Sequence, residues 1–384
     1  MSILIAGYPY IKEAYLKTFD SYPEEIYFLL PQIWKAKEGR LVFRPPDRKN
    51  IFKTRAFFYH SNYPIVGGLL KGWMPLFPIY LLKVKNLKTV FSPTEPILLT
   101  TLYQAFWSKV VGKKHVVFTW ENISYEKKFH GLNLFLKKLI LKMTLAFSDG
   151  VVCGNRKAEE IIKKFTTKPS VAIPLSGVDT DFYNKVSADD LLDQYNLRDK
   201  FIYTFAGAIG YRKGIHLIIE ALKRVINDIP NAHLIIVGTG EYEEGLKFKV
   251  ESLKLGDAVT FIPWTDAQQL RRILSATHVF VYPSMAYGGW EEQFGYSMTE
   301  ASLIQLPVIT TKSGSVDEVV LDNVTGILVE PDSVESLKNV MIKLGKDESL
   351  RNKLGLAGRD FVARNYSYSV IAQKFHQFFS KLNQ

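Results

Sequence analysis

The sequence predicts an α/β protein with two Rossmann-like parallel-sheet domains, and three observations carry that expectation. Short, continuously apolar runs alternate with amphipathic helical runs along the 384 residues, as in a mainly parallel sheet whose faces are covered by helices. The alternation occurs on both sides of a passage near residue 176, and the length suits two domains. Several apolar runs also end in turns rich in Gly or Pro that lead into a helix, the connection on which open α/β sheets place their ligands.

In the first half, Ser2 to Ala6 reads as a buried strand ending at Gly7-Tyr8-Pro9, where a glycine allows close backbone approach. Strands are expected at Glu25 to Leu30, Leu41 to Phe43, Thr89 to Phe91, Val116 to Thr119 and Gly150 to Cys153. Amphipathic helices are expected over Pro96 to Val111 and Leu132 to Phe147. In the second half Phe201 to Ala206 is a strand, Gly207 to Gly214 a glycine-punctuated turn and Ile215 to Ile226 a helix. His233 to Val237 runs into Gly238-Thr239-Gly240-Glu241, and Val259 to Ile262 into Pro263-Trp264. Asp266 is placed to cap a helix over Ala267 to Ser275. His278 to Tyr282 leads through a loop into a helical run to Gln305, and Pro307 opens the strand Val308 to Thr310. The expected domains are residues 1–176 and 177–366, with a helix at about 367–384 free to pack back on the first.

Composition narrows the class. At 47% hydrophobic the chain can bury sizeable cores. Ile3-Leu4-Ile5-Ala6 is too short for a signal-peptide core, and no basic residue precedes it. The best membrane-span candidate, Pro64 to Leu82, is interrupted by Gly67, Gly68, Lys71, Pro75 and Pro78. A single cysteine, Cys153, excludes an internal disulfide and fits a reducing cytoplasm. Residues 1–176 hold 27 Lys and Arg against 12 Asp and Glu, whereas residues 177–384 hold 22 against 26. The basic half therefore points to an anionic partner, or is simply a solvated lysine-rich surface. No nucleic-acid reader motif accompanies the charge, so nucleic acid is not expected. No His/Cys cluster suits a metal, and Asp179-Thr180-Asp181 is read as ordinary surface acid, so no metal or other cofactor is expected.

The stretch Trp290 to Ala301 carries the chemistry. Glu292 and Glu300 flank a strand-to-helix turn, and the amides of Phe294, Gly295, Tyr296 and Ser297 open the helix. Such amides suit a phosphate, and the two acids suit hydroxyls such as those of a sugar and a ribose. Ser297-x-x-Glu300 also reads as a capping box.

This Glu-x7-Glu spacing, followed by Ala301 and Leu306-Pro307-Val308-Ile309, resembles the retaining glycosyltransferases of the GT-B fold, family four. The resemblance covers roughly Phe201 to Tyr366 well and the first half in outline. It implies two Rossmann-like domains facing a cleft and a nucleotide-diphosphate sugar as co-substrate, with no metal needed. It also implies that Glu292 contacts the transferred sugar and Glu300 the ribose. Lys213-Gly214, in the turn opened by Gly207, matches the Lys-Gly of the phosphate turn. The family's Arg five residues earlier is Ala208 here; Arg212 is the candidate substitute, although adjacent side chains are expected to point apart. Trp264 stands where the nucleotide base is held, to stack on it or to cap the core, and Gly238-Thr239-Gly240 resembles the family's Gly-x-Gly turn. A longer glycine-rich loop is replaced by Gly7 alone. Thr119-Trp120-Glu121 stands where the family often has Thr-x-His. Glu121 is thus a candidate base for an acceptor hydroxyl, a stabiliser of positive charge on the sugar, or a strand-end acid paired with Lys113, Lys114 or Lys127.

The expected activity is retaining transfer of a sugar from a nucleotide-diphosphate donor to an envelope glycan or lipid-linked acceptor. The protein carrying it would be cytoplasmic and peripheral on the inner face of the membrane. The alternatives are a soluble enzyme making a small glycoside or disaccharide, and a non-enzymatic basic protein that binds membrane or nucleic acid on the same scaffold. The membrane expectation rests on Lys127 to Phe147, where Phe129, Leu132, Phe135, Leu136, Leu139, Ile140, Met143 and Phe147 recur at helical spacing among five lysines. That apolar face is expected to pack on the sheet, leaving the lysines to meet an anionic bilayer and to release it at high salt.

Overall fold

The computed structural model describes residues 2–35, 42–59 and 67–384. The chain forms two compact units, Met1–Gly177 with Tyr368–Gln384, and Val178–Ser367. The first is organised on a seven-stranded sheet. Its strands are β1 (Ser2–Ala6), β2 (Glu25–Pro31), β5 (Ile51–Thr54), β6 (Leu87–Ser92), β7 (Lys114–Thr119), β8 (Gly150–Cys153) and β9 (Ser170–Ala172), in the order β5-β2-β1-β6-β7-β8-β9. All pairings are parallel. Two short strands, β3 (Trp34–Lys35) and β4 (Val42–Phe43), pair antiparallel beside it. Leu41, expected in a strand, lies outside the described residues. The central strands are buried along most of their length, as in a parallel sheet covered on both faces, and Ile3, Leu4 and Ile5 are fully buried.

The C-terminal helix Tyr368–Asn383 belongs to this unit. It seats Phe375 on Phe19 and Phe91 (5.3 and 5.6 Å between ring centres) and Phe379 on Phe91. Asn383 Nδ2 donates to Thr89 Oγ1 at 2.8 Å.

The second unit carries the parallel strands β10 (Phe201–Ala206), β11 (Ala232–Val237), β12 (Val259–Ile262), β13 (Val279–Tyr282), β14 (Val308–Thr311) and β15 (Gly326–Val329), in the order β12-β11-β10-β13-β14-β15. Asp266 caps the helix Ala267–Ala276 through Gln269 N–H at 2.8 Å. In the two large sheets three strands escape the sequence pattern, β5, β9 and β15, and each is a sheet edge; the short β3 beside them escapes it as well. Edge strands are covered less and need no unbroken apolar run, which is why β5 tolerates Lys53.

Two sequence expectations need correction. Lys127 to Phe147 is not one helix: Tyr125–Lys128 ends at Phe129, and Gly131–Phe147 follows. Nor does most of the apolar stripe read from the sequence face the sheet, although Ile140 is buried and Phe129 packs on the core. The buried side of Gly131–Phe147 is Lys137, Ile140, Leu141, Thr144 and Leu145, while Leu132, Phe135, Leu136, Leu139 and Met143 point outward. The helix is apolar on both sides, so periodicity alone could not select the inward one. Of the span candidate Pro64 to Leu82, residues 64–66 lie outside the described residues, and the rest runs through the short helices Gly67–Leu70 and Phe77–Lys83. Among the described residues no helix is long and apolar enough to cross a membrane.

Candidate active site

In the second sheet the chain steps from β10 outward to β12, then returns to β13 on the other side of β10. That reversal parts the loops after β10 and β13 at the carboxyl end of the sheet, where open α/β sheets take ligands. Lys213 follows β10 in the tight turn Tyr211–Lys213, and Glu292 lies in the loop after β13. The loops are joined backbone to backbone, with Met285 N–H donating to Arg212 O at 2.9 Å. Gly214 is left-handed (φ 67°), and a Cβ there would lie 2.1 Å from Pro283 O. Only glycine lets the turn cross so close to the end of β13.

The consequence is a convergence on one carboxylate. Lys213 Nζ donates to Glu292 Oε2 and to Tyr282 Oη, Tyr282 O–H donates to the same Oε2 at 3.1 Å, and Arg212 Nη1 stands 3.9 Å from it. Adjacent residues therefore do not diverge here as expected: the tight turn aims both Arg212 and Lys213 at Glu292. Burial alone would raise the Glu292 carboxyl, but Lys213, Arg212 and Tyr282 together hold it below its ordinary value. Burial draws the Lys213 ammonium below its usual value against the pull of Glu292. The carboxylate is the firmer ion of the two, because Lys213 and Tyr282 donate to it and the Arg212 charge stands close by. Its backbone is fixed as well: Ser315 N–H donates to Glu292 O at 2.9 Å, and Gly314 (φ 64°) has no room for a Cβ beside that oxygen.

The other expected donor residues lie on the turns after β10 and β11, in the loop after β12 and around the start of the helix that follows β13. Gly207 N–H donates to Val237 O at 3.0 Å, and Gly238 and Gly240 pack so tightly on the turn Gly207 to Ile209 that a Cβ on either would lie about 2 Å from a carbonyl oxygen. The Gly-x-Gly after β11 thus seats the neighbouring turn. The helix Tyr296–Leu303 starts from Gly295 (φ 83°), which is its N-cap. Ser297 is inside the helix, so the capping box does not form. Phe294 is buried against Tyr366 (5.1 Å), whereas Glu300 is only partly buried in the second turn. Trp264 is 61% exposed and caps no core.

Glu121 belongs to the first unit, at the end of β7, and is buried. Its cation is Lys128, 2.7 Å away, not Lys113, Lys114 or Lys127. Beside it stands Glu95, which the motif reading passed over. Its carboxylate accepts Thr119 Oγ1–H at 2.7 Å and Trp120 N–H at 2.8 Å. Burial, with the Glu121 charge second, pushes Glu95 up to about 7. The sequence held a signal for it, since Glu95 is the only acid between Asp47 and Glu121. Tyr282 and Gly314 were also passed over; the first is a polar tip in an apolar strand, the second part of Lys312-Ser313-Gly314-Ser315, which has no distinctive pattern. Among the described residues no group of His, Cys, Asp and Glu could hold a metal ion.

Comparison with known proteins agrees with this architecture. The family described as glycosyl transferases group 1 matches residues 188–361. An uncharacterized glycosyltransferase of Methanocaldococcus jannaschii is 25% identical over 366 residues, covering 93% of this chain and 90% of that protein. A GDP-mannose-dependent alpha-(1-6)-phosphatidylinositol monomannoside mannosyltransferase of Mycobacterium tuberculosis is 29% identical over 206 residues, 53% of this chain and 54% of that protein. Anabaena HepE, solved in complex with UDP, superposes with a TM-score of 0.76 at 18% identity, over 99% of both chains. The chain has the GT-B fold of these glycosyltransferases, and its residues 188–361 match the family of glycosyl transferases group 1.

Proposed function

We propose that the chain transfers a sugar, with retention, from a nucleotide-diphosphate donor bound by the second unit to an envelope glycan or lipid-linked acceptor. The observation that carries this reading is the convergence of Lys213 and Arg212 on Glu292 at the switch point of the second sheet, in the loop that leads into the helix Tyr296–Leu303. Breaking the bond between sugar and phosphate places charge on the leaving diphosphate. Two cations and the amides at the start of that helix offset it without a metal. In this reading the diphosphate takes over Lys213 and Arg212, and the released Glu292 carboxylate accepts a hydroxyl of the transferred sugar. Glu300, eight residues on, receives the ribose, and Trp264 offers its exposed ring to the base. The Mycobacterium relative is named for GDP-mannose and Anabaena HepE was solved with UDP, and the diphosphate is the chemistry those nucleotides share.

The acceptor side draws on the first unit. Its lysine-rich surface and the outward apolar face of Gly131–Phe147 favour an acceptor carried by an anionic membrane, with the protein peripheral on the cytoplasmic leaflet. The relative from Mycobacterium is named for a phosphatidylinositol glycolipid. The purified chain is to be incubated with UDP- and GDP-sugars, with and without anionic vesicles. Slow donor hydrolysis that vesicles of a glycolipid-containing membrane extract convert to transfer is the expected result. No turnover of any donor would overturn the reading.

A further inference from the structure

In the free protein the Glu292 carboxylate is held by Lys213 and Tyr282, with Arg212 3.9 Å away, and all four residues belong to the second unit. A nucleoside diphosphate that draws Lys213 and Arg212 onto its phosphates weakens the cationic part of that hold. The carboxylate is then a largely buried anion with less positive charge beside it. Burial favours the protonated acid, and a protonated carboxyl gives up acceptor capacity that a sugar hydroxyl needs.

Tyr282 is a donor that a diphosphate does not draw away. Its hydroxyl is neutral, so an anion competes for it less than for an ammonium or a guanidinium. The residue closes β13 and is 4% exposed. Its ring stacks on Phe205 of the neighbouring β10, with 5.3 Å between centres and planes within 9°, and lies nearly parallel to Phe280 at 6.3 Å. Thr310 Oγ1–H of β14 donates to Tyr282 O at 2.8 Å, which ties the strand end on the other side. The packed ring aims the hydroxyl at Glu292 Oε2, 3.1 Å away. Burial, with the Glu292 charge second, holds the phenol well above its ordinary value, so the proton it donates stays on it. Lys213 Nζ donates to the same hydroxyl oxygen, which accepts that bond on a lone pair while its own proton goes to Glu292. Departure of Lys213 therefore leaves the Tyr282–Glu292 bond in place. The Glu292 backbone is anchored separately by Ser315 N–H, and the carboxyl end is the part that Tyr282 holds.

We propose that Tyr282 is a positioning residue for the transfer: its hydroxyl keeps the Glu292 carboxylate aimed at the sugar while the diphosphate occupies Lys213 and Arg212. The proposal rests on the nucleotide-sugar reading of the second unit, and it gives Tyr282 no contact with the substrate.

Tyr282→Phe keeps the ring stack and removes only the hydroxyl. The full chain is assayed for hydrolysis of UDP-glucose, UDP-N-acetylglucosamine and GDP-mannose between about pH 5 and about pH 8, with affinity for UDP and GDP measured by calorimetry. In the variant kcat should fall about tenfold, the loss of one hydrogen bond to a charged group. KM and the affinity for the free diphosphate should stay within about twofold. The charged and titratable groups that face Glu292 are Lys213 and Arg212 from the turn after β10 and Tyr282 from β13. Loss of the Tyr282 bond removes one influence that keeps the carboxyl ionised, so the acid limb of kcat should move to higher pH. Fluorotyrosine at position 282, a stronger donor of nearly the same shape, should move that limb to lower pH, and it carries the test if Tyr282→Phe does not fold. An unchanged kcat or an unmoved acid limb in folded Tyr282→Phe overturns the proposal, as does a limb that fluorotyrosine leaves in place. A fall in diphosphate affinity that accounts for the whole loss of kcat/KM overturns it too, since that is the mark of a distorted site. No hydrolysis of any of the three donors by the wild type overturns the reaction and the proposal with it, so the wild type alone tells the two failures apart.

Discussion

Glu292 and Lys213 form a buried pair whose members depend on each other. Removing one takes the nearest opposite charge from a largely buried ion. Lys213→Met should therefore cost about 3–5 kcal/mol of stability, and Lys213→Met with Glu292→Gln less than the two single losses added, in denaturant titrations of all three. Glu292→Ala should depress turnover about 10²-fold or more if the carboxylate meets the sugar as the bond breaks. Glu300→Ala should instead raise the dissociation constant of the free nucleoside diphosphate. Unchanged affinity for the diphosphate would remove Glu300 from the ribose. Glu95 makes a prediction in pH. Its folded value of about 7 lies above the ordinary 4.5, so the folded state holds this proton more tightly than the unfolded chain does. The stability this provides is complete below about 4.5 and is lost as pH rises through about 7, at most about 3 kcal/mol. Glu95→Gln cannot ionise, so its melting temperature should gain on the wild type between about pH 5 and about pH 8. A constant difference across that range would show that Glu95 is not held protonated.

At the scale of the element, the glycines set how closely the loops of the second sheet approach. Gly214 combines a left-handed φ of 67° with a Cβ position 2.1 Å from Pro283 O, whereas a Cβ on Gly210, in the same turn, meets nothing within 4 Å. Gly214→Ala should cost at least about 2 kcal/mol and displace Lys213, while Gly210→Ala should change stability by about 0.5 kcal/mol or less. Thermal melts together with nucleotide affinity separate the two. Equal melting temperatures would show that the turn tolerates a left-handed alanine.

For the whole molecule, the distribution of charge and apolar surface matters more than any one contact. In the first unit the helices Phe77–Lys83, Leu99–Val110 and Gly131–Phe147 pack side by side. Their outward residues include Leu82, Phe106, Val110, Leu132, Phe135 and Leu139, among which Leu82 is 79% and Leu132 72% exposed. Exposed apolar surface of this extent on one unit favours a partner that buries it. The surrounding lysines favour an anionic one. Binding to anionic vesicles should therefore persist at about 1 M salt, where the screening length is only about 3 Å, rather than release as the sequence pattern suggested. Leu132→Glu with Phe135→Glu should abolish the salt-resistant fraction in co-sedimentation. Full release of the wild type at high salt would return the contact to lysines alone.

The sequence by itself determined the alternation of strands and helices, the central strands and the Glu-x7-Glu loop with its Lys-Gly turn, because each is a local pattern of apolar period or turn chemistry. Tertiary structure decided the rest. It selected which side of Gly131–Phe147 faces the sheet, since a helix apolar on two sides carries no local preference. It added the edge strands β5, β9 and β15, which pairing alone defines. It also brought Arg212, Lys213 and Tyr282 onto Glu292, residues 69 to 79 positions apart for the lysine contacts. Glu95 received its partners from β7 in the same way. Convergence of that kind depends on strand order, and strand order is set by which strands bury each other's faces, a property of the folded chain as a whole.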